Sequence, residues 1–231
     1  MAIASSNYEN ERRLLVITGA AVTEASLRGV DPLARALGVA ITVLPAPRED
    51  FVGNIARVAL ERSVSFVMLL AVDEARIAAK DLAHQLNLPV FVVRSLPFPV
   101  GPVLVATSLS DDDLPAVQQG IALARRLGLG LRVAHCHPDA AVNSSSVEDV
   151  RRRLEAQVTE LAGGIRAEVV VTTSISPVAA VVELLARGDA SLLVLGSYPR
   201  SWLTGWLVPS VCEVALQHPS VNLLILPLGH Q

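Results

Sequence analysis

A short apolar run passes directly into a polar turn in the stretch Ser191-Leu-Leu-Val-Leu-Gly-Ser-Tyr-Pro-Arg-Ser201. Short runs that are apolar throughout are typical of strands covered on both faces of a parallel sheet. Amphipathic segments of helical length separate this run from others like it, and the alternation predicts an α/β fold with right-handed crossovers. The other runs are Leu14 to Thr18, Ala40 to Pro45, Phe66 to Val72, Val90 to Val93, Val103 to Thr107, Leu131 to His135, Glu168 to Thr172 and Val221 to Leu226.

The composition describes a globular protein with an aliphatic core. Of the 231 residues, 52% are hydrophobic and only 3% are aromatic, and the formal net charge is −3. A disordered chain is excluded, because disorder needs low hydrophobicity and high net charge. Neither half is basic, since 10 basic and 10 acidic residues occur up to Gly101 and 9 basic and 12 acidic residues follow it. We therefore expect no nucleic-acid partner.

Two features bear on the compartment of the protein. No stretch reaches the roughly 18 uncharged apolar residues that span a bilayer, so we expect no membrane association. The only cysteines, Cys136 and Cys212, are far apart and outside any Cys-x-x-Cys spacing. A disulfide framework or a zinc site is therefore not expected, and the cysteine usage fits a reducing cytoplasm.

The chain divides at Leu96-Pro-Phe-Pro-Val-Gly-Pro102, where three prolines and a glycine separate two strand-like runs. Proline is poorly tolerated inside a central strand, so this segment indicates a boundary. We predict a tail over residues 1–11, a first domain over 12–96, a proline-rich linker over 97–102 and a second domain over 103–231.

The two halves can be laid on each other without gaps in two blocks. At an offset of 90, Leu14-Leu-Val-Ile-Thr18 falls on Leu104-Val-Ala-Thr-Ser108. At an offset of 126, Ser65-Phe-Val-Met-Leu69 falls on Ser191-Leu-Leu-Val-Leu195. The offsets differ by about one βα unit, which favours a tandem duplication whose first copy lacks one unit. Chance similarity between two Ala- and Leu-rich segments is the alternative.

A duplication of this kind predicts three features of the structure. Each half should form its own parallel sheet, with the sheet of the first half one strand shorter than that of the second. The absent unit should correspond to the strand at Leu131 and the helix at Val147 to Leu161. The last strands of the halves, Val90 to Val93 and Val221 to Leu226, should be where the halves or subunits meet, because a bare apolar edge strand favours aggregation.

The second half resembles the universal stress protein family over about residues 102 to 230. Its first strand and turn, Val103-Leu-Val-Ala-Thr-Ser-Leu-Ser-Asp111, are similar to the family's opening strand, and residues 191–201 are similar to its fourth strand and phosphate loop. The end of the chain, from Pro209 to Leu226, is similar to the family's last helix and last strand. The resemblance implies two tandem Rossmann-like domains of this family, with a complete second copy and a degenerate first copy.

ATP-binding members of the family carry a loop of the form G-x2-G-x9-G-[ST]. Gly196 and Ser210 fill the first and last positions here, whereas Pro199 and Pro209 replace the other two glycines. Proline has no N–H and a fixed φ, so each replacement removes a donor to phosphate. Ser108 stands where the family has an aspartate. We therefore predict no ATP binding and no cofactor, with an ATP- or AMP-binding switch as the alternative.

A remnant of this loop is a candidate anion site at the start of the helix near Pro209. The alternative is that a serine there merely caps the helix and the loop arginine is solvated. In the first half the matching segment, Leu70 to Arg76, contains no glycine and carries two carboxylates, so no nucleotide is expected there. The candidate residues in the second half are Ser108, Gly196, Ser197, Arg200 and Ser210.

Two further polar groups have ordinary explanations. His135 and His137 share one side of a predicted strand, but two ligands with Asp139 nearby do not make a site, so no metal is expected. The carboxylates of residues 111–113 follow Ser110 at a helix start, where capping is the expected role.

Trp202 and Trp206 lie on the altered loop, close to Tyr198. They either fill the pocket, form a contact surface for another chain or pack on their own domain.

No nucleophile, base and acid can be assigned by their spacing, so no enzymatic activity is expected. The resemblance implies a cytoplasmic stress-response or regulatory protein. We expect it to act through contacts with an unidentified protein partner, as a homodimer or as an intramolecular pseudo-dimer.

Overall fold

Strands and helices alternate along the chain, and each apolar run of the sequence lies in or overlaps a strand. The structure is a computed structural model, and it describes residues 12–94, 96–97, 101–138, 144–174, 176–188, 190–198, 210–218 and 221–229. In these ranges no helix has the length and hydropathy of a membrane span. The strands are β1 (Arg13–Thr18), β2 (Ala40–Pro45), β3 (Val64–Leu70), β4 (Val90–Val93), β5 (Val103–Thr107), β6 (Leu131–Pro138), β7 (Ala167–Ser174), β8 (Leu192–Ser197) and β9 (Leu223–Pro227). The helices are α1 (Glu24–Arg28), α2 (Asp31–Leu37), α3 (Phe51–Glu61), α4 (Ala75–Leu86), a 3₁₀ turn (Asp111–Asp113), α5 (Leu114–Leu127), α6 (Ser144–Ala162), α7 (Pro177–Ala186) and α8 (Val211–Gln217).

Glycines end the corresponding helices α2 and α5 of the two halves. Gly38 follows α2 with φ of 68°, and Gly128 follows α5 with φ of 67°. This left-handed conformation favours glycine, because a side chain would crowd the backbone. The two glycines fall on each other at the offset of 90, so the local structure repeats where the sequence repeats.

The strands form one sheet with the order β2-β1-β3-β4-β9-β8-β5-β6-β7. All pairs within β1–β4 are parallel, and so are all pairs within β5–β9. The first half contributes four strands to this sheet and the second half contributes five. The predicted difference of one strand is confirmed. The prediction of a separate sheet for each half is wrong, because β4 pairs with β9 and joins all strands into one sheet.

The strand that the first half lacks is not the one predicted. β2 lies beside β1 just as β6, which begins at Leu131, lies beside β5, so β6 has a counterpart in the first half. The strand without a counterpart is β7 at the sheet edge, which follows α6. The placement of the gap at Leu131 was wrong, although the helix was placed correctly. An edge strand can be absent without leaving a broken ladder inside the sheet, whereas β6 pairs on both sides.

One antiparallel pairing joins the two halves. The strands involved, β4 and β9, are almost completely buried. This pairing confirms the prediction that the halves meet through their last strands. Because it is antiparallel, the amino ends of β1–β3 lie on the same edge of the sheet as the carboxyl ends of β5–β9. The partners are Val90 with Ile225, Phe91 with Leu224, and Val92 with Leu223.

Helices cover both faces of the sheet, and the hydrophobic core on each face crosses the joint between the halves. Helices α2, α5 and α6 pack on one face, and α3, α4, α7 and α8 pack on the other. The pairs α2 with α5 and α4 with α8 connect the halves directly. Arg126 of α5 also donates to the carbonyl of Leu37 at the end of α2, at 3.1 Å. The halves therefore share their hydrophobic cores.

The shared cores predict a single unfolding transition and a large effect of mutations at the joint. Phe91 in β4 is completely buried, so we expect Phe91→Ala to lower the free energy of unfolding by about 3–5 kcal/mol. Leu60→Ala is the control, because Leu60 is 76% exposed and surface changes typically stay within about 0.5 kcal/mol. Urea denaturation followed by circular dichroism measures both. Two separate transitions, with only one shifted by Phe91→Ala, would contradict the shared core.

Candidate functional site

A crevice opens at the carboxyl ends of β5 and β8. These neighbouring strands lead into connections that diverge, since β5 is followed by β6 on one side and β8 by β9 on the other. Ligands of open α/β sheets bind in such crevices. The cavity measures about 450 Å³, which lies within the range for small-molecule sites.

Four of the five candidate residues line this cavity, so sequence reasoning located the crevice. They are Ser108 after β5, Gly196 and Ser197 in β8, and Ser210 before α8. The fifth, Arg200, lies outside the described residues, as do Pro199, Pro209, Trp202 and Trp206, whose expected roles stay predictions. An apolar part of the wall comes from α7 and α8, with Ala180, Val181, Leu184 and Cys212 among its residues, and strands β5, β6 and β7 also line the cavity.

The Asp113 carboxylate lies at the centre of the polar side of the crevice. Asp113 is only 5% exposed. Its Oδ2 accepts hydrogen bonds from the backbone N–H and from the hydroxyl of Ser108, and its Oδ1 accepts one from the Tyr198 hydroxyl at 2.7 Å. Asp111 and Asp112 are exposed. The capping role expected for residues 111–113 is therefore wrong for Asp113, because the 3₁₀ turn directs this carboxylate inward instead of toward a helix start.

Asp113 also changes the interpretation of Ser108. The sequence has Ser108 at the position of the family's aspartate, which indicates that the crevice lacks this carboxylate. The structure instead places the carboxylate of Asp113 in hydrogen-bond contact with Ser108. The crevice therefore retains a carboxylate, supplied five residues later in the chain.

The glycine of the loop motif packs closely against other parts of the chain. A Cβ at Gly196 would overlap with Leu228 and would lie 3.2 Å from Asp113 Oδ1. Leu228 and Asp113 therefore fill the space beside Gly196 that a side chain would take. Gly196 by itself is not evidence for a phosphate site.

The other two serines of the crevice also have intramolecular partners. Ser197 is 2% exposed, and its Oγ lies 3.0 Å from Nε2 of His84. Ser210 forms a reciprocal capping box with Glu213, in which the Glu213 N–H donates to Ser210 Oγ at 3.2 Å and the Ser210 N–H donates to a Glu213 carboxylate oxygen at 3.0 Å. Ser210 therefore caps α8, which was the alternative to an anion-binding role.

The first half contributes two residues that sequence reasoning missed. Lys80 of α4 lines the crevice, and its Nζ lies 3.6 Å from a Glu213 carboxylate oxygen. His84, one turn later in α4, contacts Ser197 across 113 positions of sequence. No local pattern connects these residues. They come together because α4 packs on α8 across the joint.

Burial sets the protonation of three crevice side chains. Burial and the hydrogen bond to Asp113 raise the pKa of Tyr198 from 10.0 to about 12. Burial raises the pKa of the Cys212 thiol to about 11, and burial also lowers the pKa of His135. At neutral pH these groups are uncharged, and the phenol can donate to Asp113.

The two histidines of β6, His135 and His137, lie close together. The Nδ1 of His135 donates to the Thr107 carbonyl at 3.0 Å, and the ring centroids of His135 and His137 are 6.4 Å apart. In the described residues no group of three His, Cys, Asp or Glu side chains could hold a metal ion. Asp139 lies outside these residues.

The comparison with known proteins agrees with this geometry. A family model described as the universal stress protein family matches residues 99–227. The chain belongs to the universal stress protein family. No relative was found among curated proteins.

The universal stress protein fold extends over both halves of the chain. A universal stress protein from Archaeoglobus fulgidus, 15% identical, matches 93% of this chain and 98% of its own with a TM-score of 0.62. A Pseudomonas aeruginosa protein described as a universal stress protein, 16% identical, matches 94% of both chains with a TM-score of 0.64. A second P. aeruginosa protein of unknown function, 18% identical, matches 94% of this chain and 82% of its own with a TM-score of 0.59. At these identities the likeness establishes the fold.

The Asp113 hydrogen bonds predict a position-specific loss of stability. Asp113→Asn replaces an acceptor oxygen by an NH₂ group that cannot accept from Ser108 or Tyr198, so we expect a loss of about 1–3 kcal/mol in the free energy of unfolding. Asp112→Asn removes the same charge at an exposed neighbour and should change it by less than about 0.5 kcal/mol. Urea denaturation at neutral pH compares the two variants. Equal losses would show that the hydrogen bonds of Asp113 do not stabilise the fold.

The raised pKa of Tyr198 predicts the alkaline limit of its contribution to stability. Because the phenol pKa rises from 10.0 to about 12 on folding, the contribution is complete below about pH 10 and is lost as the pH rises through about 12. Spectrophotometric titration of the two tyrosines, Tyr8 and Tyr198, should show one late transition. Tyr198→Phe should remove that transition, and Asp113→Asn should move it to lower pH. A titration in which both phenols ionise near pH 10 would overturn this assignment.

Proposed function

We propose that this universal stress protein is a cytoplasmic regulatory protein of the stress response that acts through contacts with other proteins, without ATP and without a catalytic centre. One observation carries the proposal. The Asp113 carboxylate accepts the hydrogen bonds of Ser108, which are donors that a bound phosphate would need. Asp113 therefore accepts the hydrogen bonds that Ser108 would otherwise offer to a phosphate.

The cation of the crevice is also paired within the chain. Lys80 Nζ lies 3.6 Å from a Glu213 carboxylate oxygen. A bound phosphate would therefore have to compete with Glu213 for Lys80, as it would with Asp113 for Ser108.

The first half has a smaller cavity, of about 390 Å³, at the carboxyl ends of β3 and β4. Gly19 follows β1 as Ser108 follows β5, and its N–H donates to the carbonyl of Leu70 at 3.0 Å. A Cβ at Gly19 would overlap with the Ala71 carbonyl, so the backbones after β1 and β3 are in close contact. This backbone contact, together with the Asp73 carboxylate in the lining of the cavity, supports a structural role for the first half.

The joint between the halves supports an intramolecular pseudo-dimer over a homodimer. The family resemblance implies that copies pair through the last strand. Here β9 is already paired with β4 of the same chain, so this strand is not open to a second copy. The outer strands of the sheet are β2 and β7, and a protein partner would find unpaired backbone groups there.

A second candidate, an ATP- or AMP-responsive switch, is favoured by one observation. The crevice is open, at about 450 Å³, and Lys80 contributes a cation to its wall. A nucleotide could be held by Lys80 if its phosphates displaced Glu213. The two candidates differ in whether ATP affinity depends on crevice residues.

The decisive experiment compares ATP binding by the unmodified chain and by Lys80→Met. If the crevice does not bind ATP, calorimetry should give the same titration curve for both proteins, and ATP should shift their melting temperatures equally. Binding elsewhere on the chain would affect both proteins to the same extent. A ligand at about 100 times its Kd would stabilise the folded protein by roughly 2.7 kcal/mol, which a melting curve detects readily.

A second set of variants tests the role of Asp113. Asp113→Asn, combined with Pro199→Gly and Pro209→Gly, should raise the ATP affinity because it frees the donors of Ser108. Micromolar binding by the unmodified chain that Lys80→Met weakens tenfold would establish the switch instead.

A further inference from the structure

A second cavity lies at the amino ends of the first three strands, where α2 and α3 end. It is an open cleft of about 1050 Å³. It shares no lining residue with the 450 Å³ crevice. Its most conspicuous feature is a set of guanidinium groups, which we call the arginine cleft: Arg12, Arg13, Arg35 and Arg62.

The positive charge of the arginine cleft is not balanced within the described part of the chain. Among the described residues, the cleft contains one acidic residue, Glu61, and its carboxylate is paired with Arg57 outside the cleft at 3.0 Å. Over the described residues, none of the four guanidinium groups of the cleft takes part in an ion pair or a hydrogen bond. Four like charges around one concavity repel one another and create a positive potential that attracts anions.

Compensation of helix ends does not explain these arginines. Basic residues often lie at helix C-termini, where they interact with free carbonyl groups. At the end of α2 this role belongs to Arg126, which donates to the carbonyls of Ala36 and Leu37 at 3.4 and 3.1 Å. Arg35 is therefore not needed there. At the end of α3, Arg62 uses its backbone N–H for the carbonyl of Val58 and leaves its side chain available.

The chemistry of the arginine cleft matches phosphate. Guanidinium groups present planar pairs of N–H donors that fit phosphate oxygens, and the hydroxyls of Ser63 and Ser65 add further donors to the lining. Four positive charges and a volume of about 1050 Å³ exceed what a single phosphate needs. Because the first half has as many acidic as basic residues, the positive patch is local and does not form a track for a nucleic acid.

We propose that the arginine cleft binds a small molecule that carries two or more phosphate groups. This site belongs to the first half and is independent of whether the crevice of the second half takes ATP. The two sites lie on the same edge of the sheet, because the antiparallel joint turns the amino ends of β1–β3 toward the side of the crevice.

Calorimetric titration of the full chain with inorganic pyrophosphate tests the proposal. We expect binding that weakens as salt is raised, and a loss of about tenfold or more in affinity for Arg12→Gln combined with Arg62→Gln. Glu61→Gln should strengthen binding, because it removes the one carboxylate of the lining. Arg28→Gln is the matched control, since Arg28 is exposed, pairs with Glu24 and lies outside the cleft.

Each alternative outcome is distinct. Equal affinity in the double variant and in Arg28→Gln would overturn the proposal, as would absence of pyrophosphate binding by the unmodified chain. Loss of binding in Lys80→Met would place the anion in the crevice and would also overturn it. Binding of a single-stranded oligonucleotide without binding of pyrophosphate would show a nucleic-acid surface instead. All variants alter side chains whose polar groups reach solvent or a cavity, so we expect each variant to fold. Melting temperatures measured without ligand check this.

Discussion

The antiparallel pairing of β4 with β9 is the interaction on which the rest of the structure depends. Both strands are apolar on both faces and buried. Left unpaired, either would present backbone donors and acceptors beside hydrophobic side chains, which is the composition of an aggregating edge. Pairing them inside one chain satisfies both edges and extends the hydrophobic cores over both halves.

The same pairing determines which residues surround the crevice. It brings α4 of the first half against α8 of the second, so Lys80 and His84 reach residues more than a hundred positions away. The first half thus shapes the crevice of the second half. The antiparallel direction also places the arginine cleft on the same edge of the sheet, although the two sites share no residue.

Charge is distributed differently in these two cavities. In the crevice, carboxylates are matched by donors of the chain itself, as Asp113 is by Ser108 and Tyr198. Buried polar groups are costly when unsatisfied, so this internal pairing stabilises a closed arrangement that a ligand must displace. In the arginine cleft the four guanidinium groups have no partner among the described residues, so an anion would not have to displace one. We therefore expect anions to bind through the first half in preference to the loop motif of the second half.

The sequence by itself determined the α/β class, the positions of all nine strands in the described residues, the family and the location of the crevice. These features follow from local patterns, since apolar runs bury on both faces of a sheet and Gly38 and Gly128 end helices in the left-handed conformation. It also indicated which strands join the halves, because an apolar terminal strand needs a partner. Local patterns could not show that β7 is the strand without a counterpart. The two aligned blocks have different offsets, and the missing unit can lie anywhere between them.

Only the tertiary structure decided that Asp113 turns inward, that Lys80 and His84 reach the crevice and that four arginines converge on one cleft. Those arrangements depend on strand order and helix packing across the joint, and such non-local contacts leave no periodic signal in the amino-acid sequence.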